Sequence, residues 1–163
     1  MKMKYLLSFV ICLFLHTNYS QAQSVYNMVL GNATRVVNSP SSSYTQTQIA
    51  QFKRTALIYM KSKAFEESDS VSADFLNIQA YYLSEFLSNF FNAIVQTKAK
   101  ENKVKEATIE RYMDASVSNP LYNDTDQETT MAYIIEGGQL TPFCLNTDWQ
   151  KAFYAATQTE KKK

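Results

Sequence analysis

Histidine and cysteine are nearly missing from this chain. Among 163 residues there is one histidine, His16, and there are two cysteines, Cys12 and Cys144. His16 and Cys12 both fall within residues 1–22, which read as a removable leader, so the remainder carries no imidazole and a single thiol. That excludes Ser-His-Asp and Cys-His nucleophile systems within one chain, because nothing can act as the imidazole base. It equally excludes zinc sites built on histidine or paired cysteine, and any intramolecular disulfide. Cys144, between Phe143 and Leu145, reads as a small buried hydrophobe. Glycine and proline are scarce too, at three each, which argues against a turn-dense sandwich or barrel. A charge excess of one sign is also lacking, with sixteen Lys and Arg against fifteen Asp and Glu. Without Lys2 and Lys4 the balance is fourteen to fifteen, and without Lys161, Lys162 and Lys163 as well it is eleven to fifteen. A body so close to neutral has no field for gripping phosphate backbones, which disfavours nucleic acid as a partner. No cofactor is indicated.

What is present begins with an address. Lys2 and Lys4 supply a basic start, residues 5–15 form an apolar run broken only by Ser8, and residues 16–20 turn polar. Ser20 and Ala22 put small residues at positions −3 and −1 of a cut between Ala22 and Gln23. This is the grammar of a secretory signal peptide, with an apolar run too short to span a bilayer. Export to the periplasm or the extracellular space is therefore expected, with residues 23–163 as one domain.

Hydrophobic residues make up 45% of the chain, and their spacing is helical. Val25, Met28, Val29, Ala33, Val36 and Val37 predict a helix over residues 23–38, weakened by Gly31. Residues 39–43 read as a loop, and Ile49, Phe52, Ala56, Tyr59 and Met60 mark a second helix over residues 45–63. The richest stretch is 71–95, in which sixteen of twenty-five residues are apolar or aromatic. A helix so apolar is normally covered on several sides, and this one would form the spine of the core. Asp74, Glu85 and several asparagines interrupt it too often for a membrane span. A further helix follows to Val117 and stops at Asn119 and Pro120. Thr125 and Glu128 fit a capping box, so a short helix is expected through Ile135, ended by Gly137 and Gly138. Residues 139–146 read as extended. Thr147 and Gln150 suggest another box opening a last helix with Trp149, Phe153 and Tyr154, followed by a frayed Lys-rich tail.

Few constellations carry chemistry. Asp124, Asp126 and Glu128 alternate like the start of a calcium loop, but Thr129 stands where glycine is needed and Ile135 where the bidentate glutamate belongs. Helix-terminal acids explain them without metal. Paired carboxylates can hydrolyse glycosides without histidine if one is buried enough to keep its proton. Glu85, flanked by Tyr81, Tyr82 and Phe86, is the acid with apolar surroundings, and Asp74 is its candidate companion. Among the aromatics, Tyr44, Tyr122 and Phe143 fall in predicted loops, where each is either tucked back as a lid or left for a partner.

The leader, the segment Tyr81-Tyr82-Leu83-Ser84-Glu85-Phe86-Leu87, and the turns around Asn119-Pro120-Leu121-Tyr122 and Asn146-Thr147-Asp148-Trp149 together resemble small exported all-helical domains of unknown function from Gram-negative bacteria. The resemblance implies a fold and carries over no activity and no site. The expectation is an all-α, single-domain bundle of five or six helices around the helix at 71–95. Its expected role is a non-catalytic binding module for a protein or glycan, with Tyr44, Tyr122 and Phe143 as candidate contacts. The alternative is a muramidase-like carboxylate glycosidase using Glu85 and Asp74.

Overall fold

The computed structural model describes residues 24–67, 72–97, 101–123, 129–135 and 139–158. The leader, its cleavage site, the acids at 124, 126 and 128, and the Lys-rich tail lie outside the described residues. Those described form an all-α bundle of five helices, α1 (Val25–Val37), α2 (Tyr44–Glu67), α3 (Ala73–Gln96), α4 (Asn102–Val117) and α5 (Trp149–Gln158). One antiparallel hairpin, β1 (Thr129–Ile135) and β2 (Gln139–Cys144), is inserted before α5. None of these helices is long and apolar enough to cross a membrane.

Local chemistry sets the helix ends. Ser24 Oγ accepts the Asn27 amide at 3.2 Å and opens α1. A reciprocal capping box opens α2, where Ser43 Oγ accepts the Gln46 amide at 3.3 Å and Gln46 Oε1 accepts the Ser43 amide at 2.9 Å. At the end of α4 the Ser118 amide returns to the Asp114 carbonyl, and the Asn119 side chain donates to the Ala115 carbonyl at 2.8 Å. Pro120 then prevents continuation.

Helix α3 is the spine of the core, touching α1, α2, α4 and α5. It buries Leu76, Ala80, Leu83, Phe86, Leu87, Phe90 and Ile94, a broad stripe at helical spacing. Phe86 is an aromatic hub, with its ring centroid 5.1 Å from Tyr112, 5.5 Å from Phe143 and 5.4 Å from Trp149. Phe52 of α2 completes the cluster against Phe143 and Trp149. Edge-to-face pairs of this kind contribute roughly 0.5–1.5 kcal/mol each beyond their burial. The coverage leaves a strip open, since Ile78, Tyr81 and Val95 of the same helix are exposed.

A correction concerns residues 129–135, which form a strand where the sequence reading expects a helix. Thr129, Thr130, Tyr133, Ile134 and Ile135 are β-branched or aromatic, and that preference prevails once a partner strand is beside them. Ile135 faces Gln139 and Ala132 faces Pro142 in the register, which shifts between Thr129 and Ala132. The expected capping box at 125–128 and the Gly137-Gly138 stop lie outside the described residues. The hairpin lies against α2 and α4, and Phe143, buried among Phe52, Phe86 and Phe90, ties it to the bundle.

Candidate functional site

A polar clasp places α5 on α3. The Gln79 side chain, buried in α3, donates to Asp148 Oδ1 at 3.1 Å and accepts the Trp149 amide at 2.8 Å. Asp148, rather than Thr147, is therefore the residue that starts α5, since its Oδ1 also accepts the Lys151 amide at 3.2 Å. The Thr147 hydroxyl instead lies 2.7 Å from the Cys144 carbonyl and 2.9 Å from Ser116 Oγ. Asn146 brackets the turn after α4, accepting the Leu121 and Tyr122 amides and donating to the Tyr122 carbonyl. The Asp148 amide donates to the Asn119 carbonyl at 2.8 Å. Burial pushes the Asp148 carboxyl up, but hydrogen bonds from Gln79 and Lys151, together with the Lys151 charge, outweigh it and hold the group below its ordinary value.

With α5 so fixed, four rings meet one helical turn beyond the clasp. Tyr81 and Tyr82 of α3 face Phe153 and Tyr154 of α5, with centroids 5.2 Å apart for Tyr81–Tyr82 and 5.5 Å for Tyr82–Tyr154. Tyr82 also stacks at 5.5 Å on Phe153. The two phenols share a hydrogen bond of 2.7 Å between Tyr82 Oη and Tyr154 Oη. That bond, followed by desolvation and the neighbouring phenols, raises Tyr154 above its ordinary value of 10.0. Tyr154 is therefore uncharged at physiological pH. Tyr81 is 51% exposed and Tyr154 42%, with Ile78 at 44% one turn away on α3. Such a surface offers flat apolar area and a few hydroxyls, which suits recognition better than proton transfer.

The sequence-predicted site residues do not assemble. Tyr44 is exposed, but it opens α2 rather than sitting in a loop. Tyr122 is buried and its hydroxyl donates to the Met60 carbonyl at 2.8 Å. Phe143 lies in β2, 1% exposed. Tyr122 and Phe143 are tucked inward and have no surface to present. Asp74 is exposed in the first turn of α3, and Glu85 is half-buried eleven residues further on. At ~1.5 Å rise per residue they stand roughly 16 Å apart along the axis, too far to bracket one glycosidic bond. What Glu85 approaches instead is Lys53 of α2, whose amine burial pushes down and the Glu85 charge partly restores.

Among the described residues no group of three His, Cys, Asp or Glu side chains could hold a metal ion. The exposed face is hidden in the sequence because Tyr81, Tyr82 and Tyr154 sit within apolar runs that read as core. A signal did exist in the pairing of two adjacent tyrosines with a later Phe153-Tyr154 step. Comparisons with protein-family models, with curated proteins and with solved structures find no match to this chain.

Proposed function

We propose that the protein is an exported, non-catalytic binding module that engages a protein or glycan outside the cytoplasm. The observation that carries the reading is the ring cluster of Tyr81, Tyr82, Phe153 and Tyr154, in which Tyr81 and Tyr154 are exposed on two half-buried rings, held in place by the Gln79–Asp148 clasp. Rigid tyrosines bury large area on contact at little conformational cost, and their hydroxyls add hydrogen bonds at the rim. The basic start, apolar run and small residues before Gln23 support export. The separation of Asp74 from Glu85 leaves the glycosidase reading without its pair of acids.

The test compares the purified protein with a Tyr81→Ser/Tyr154→Ser variant in capture from cell-envelope extract and on a glycan array. A ligand retained by the parent, lost by the variant and bound at micromolar concentration when purified supports the reading. Cleavage of peptidoglycan by the purified protein, abolished by Glu85→Gln, overturns it.

A further inference from the structure

A groove of about 540 Å³ opens between α1, the loop after it, α2 and the middle of α3. It shares no lining residue with the tyrosine face. Helix α1 supplies Val29, Ala33 and Val36 at successive helical steps, and α2 supplies Ile49 and Ala50. These five side chains give the walls their apolar area, and Asn32, Ser41, Ser42 and Gln46 add polar groups to the same lining. Lys53, one turn beyond Ile49 and Ala50 on α2, brings an ammonium into the same space, opposite Ser84 of α3.

That ammonium is unusually placed. Its side chain makes no hydrogen bond or ion pair among the described residues. Glu85 acts on it only through space, and burial still pushes the amine below its ordinary value of 10.5. Lys53 is half-buried, and its N–H donors are open to the groove beside the apolar stretch of its wall. An anion seated there would accept those donors in charge-assisted hydrogen bonds, while a hydrocarbon body would displace water from the apolar part of the walls.

We propose that this groove is a binding site for a small amphiphile carrying one anionic headgroup, with the headgroup on Lys53 and the apolar body between α1 and α2. The volume falls within the range of small-ligand pockets. At the ~30 Å³ that a water molecule takes in the liquid, it holds roughly eighteen heavy atoms, enough for a ten-carbon fatty acid. The ammonium explains why the headgroup is anionic, since a neutral hydroxyl can accept one of its hydrogen bonds but does not balance its charge.

The test titrates the ¹⁵N-labelled protein with sodium decanoate below its micellar concentration, with 1-decanol as the neutral counterpart. Saturable shifts are expected at the amides of Val29, Val36, Ile49, Lys53 and Ser84, with 1-decanol at least tenfold weaker. Lys53→Met, which keeps the aliphatic stem, is expected to weaken decanoate at least tenfold and to leave 1-decanol unchanged. Val36→Trp, from a half-buried position on the groove wall, is expected to block both. Absence of saturable shifts, shifts confined to Tyr81 and Tyr154, equal binding of the two probes, or decanoate binding unaffected by Lys53→Met or Val36→Trp would each overturn the proposal.

Discussion

Gln79 holds two consecutive residues of a distant turn with one side chain: its amide nitrogen donates to Asp148 Oδ1 at 3.1 Å and its oxygen accepts the Trp149 amide at 2.8 Å. The residue is 4% exposed, so neither bond has water as a substitute. Gln79→Leu leaves a buried carboxylate oxygen and a buried amide short of partners, at a cost of about 2–3 kcal/mol. Urea unfolding is expected to show a lower midpoint at unchanged slope. An unchanged midpoint would mean that the clasp holds nothing.

Asp148 makes the same contact pH-dependent. Its carboxyl lies below the ordinary 3.8 despite burial, because Gln79 and Lys151 favour the ionised form. The contribution is therefore complete above the ordinary value and lost as pH falls through the lower value of the folded state. Thermal unfolding followed from pH 7 to below pH 3 is expected to show an acid-side decline in Tm that is shallower in Asp148→Asn. Asp148→Ala also removes the helix cap and is expected to cost about 1 kcal/mol at pH 7.

Gly31 sits in the interior of α1, exposed, with nothing within 4 Å of the position a Cβ would occupy. Its backbone there is helical, so the residue supplies only conformational freedom that folding must remove. Gly31→Ala is expected to stabilise the protein by roughly 0.5–1 kcal/mol, read as a higher urea midpoint. A loss of stability would show that another body occupies that face of α1.

How much of this is legible in the sequence depends on range. The spine at 73–96 is, because Leu76, Ala80, Leu83, Leu87, Phe90 and Ile94 repeat at the period of the helix they build. The box at Ser43 and Gln46 is equally local, although the apolar spacing alone places the start of α2 one residue late, at Thr45. The hairpin is not legible in the same way, since a strand takes its stability from a partner and Thr129 to Ile135 has caps of a helix written before it. The clasp is invisible to spacing, because Asn146 finds Tyr122 across 24 residues and Gln79 finds Asp148 across 69. The same blindness applies to the tyrosine face and to the Lys53 groove, each of which draws on more than one helix.

Tyr44 and Phe143 carry the last prediction, since both read as loop aromatics and the fold separates them. Phe143 is 1% exposed and meets Phe52, Phe86 and Phe90 at centroid distances of 6.0, 5.5 and 5.2 Å. Truncation empties a site walled by two helices that cannot collapse into it. Phe143→Ala is therefore expected to cost about 3–5 kcal/mol and to loosen the hairpin first, seen as faster amide exchange across β1 and β2. Tyr44 is 62% exposed at the first position of α2. Tyr44→Ala is expected to stay within about 0.5 kcal/mol of the parent, as surface substitutions do. Equal losses at the two positions would contradict the packing of β2 on α3, because only a shared environment could make the two rings equivalent.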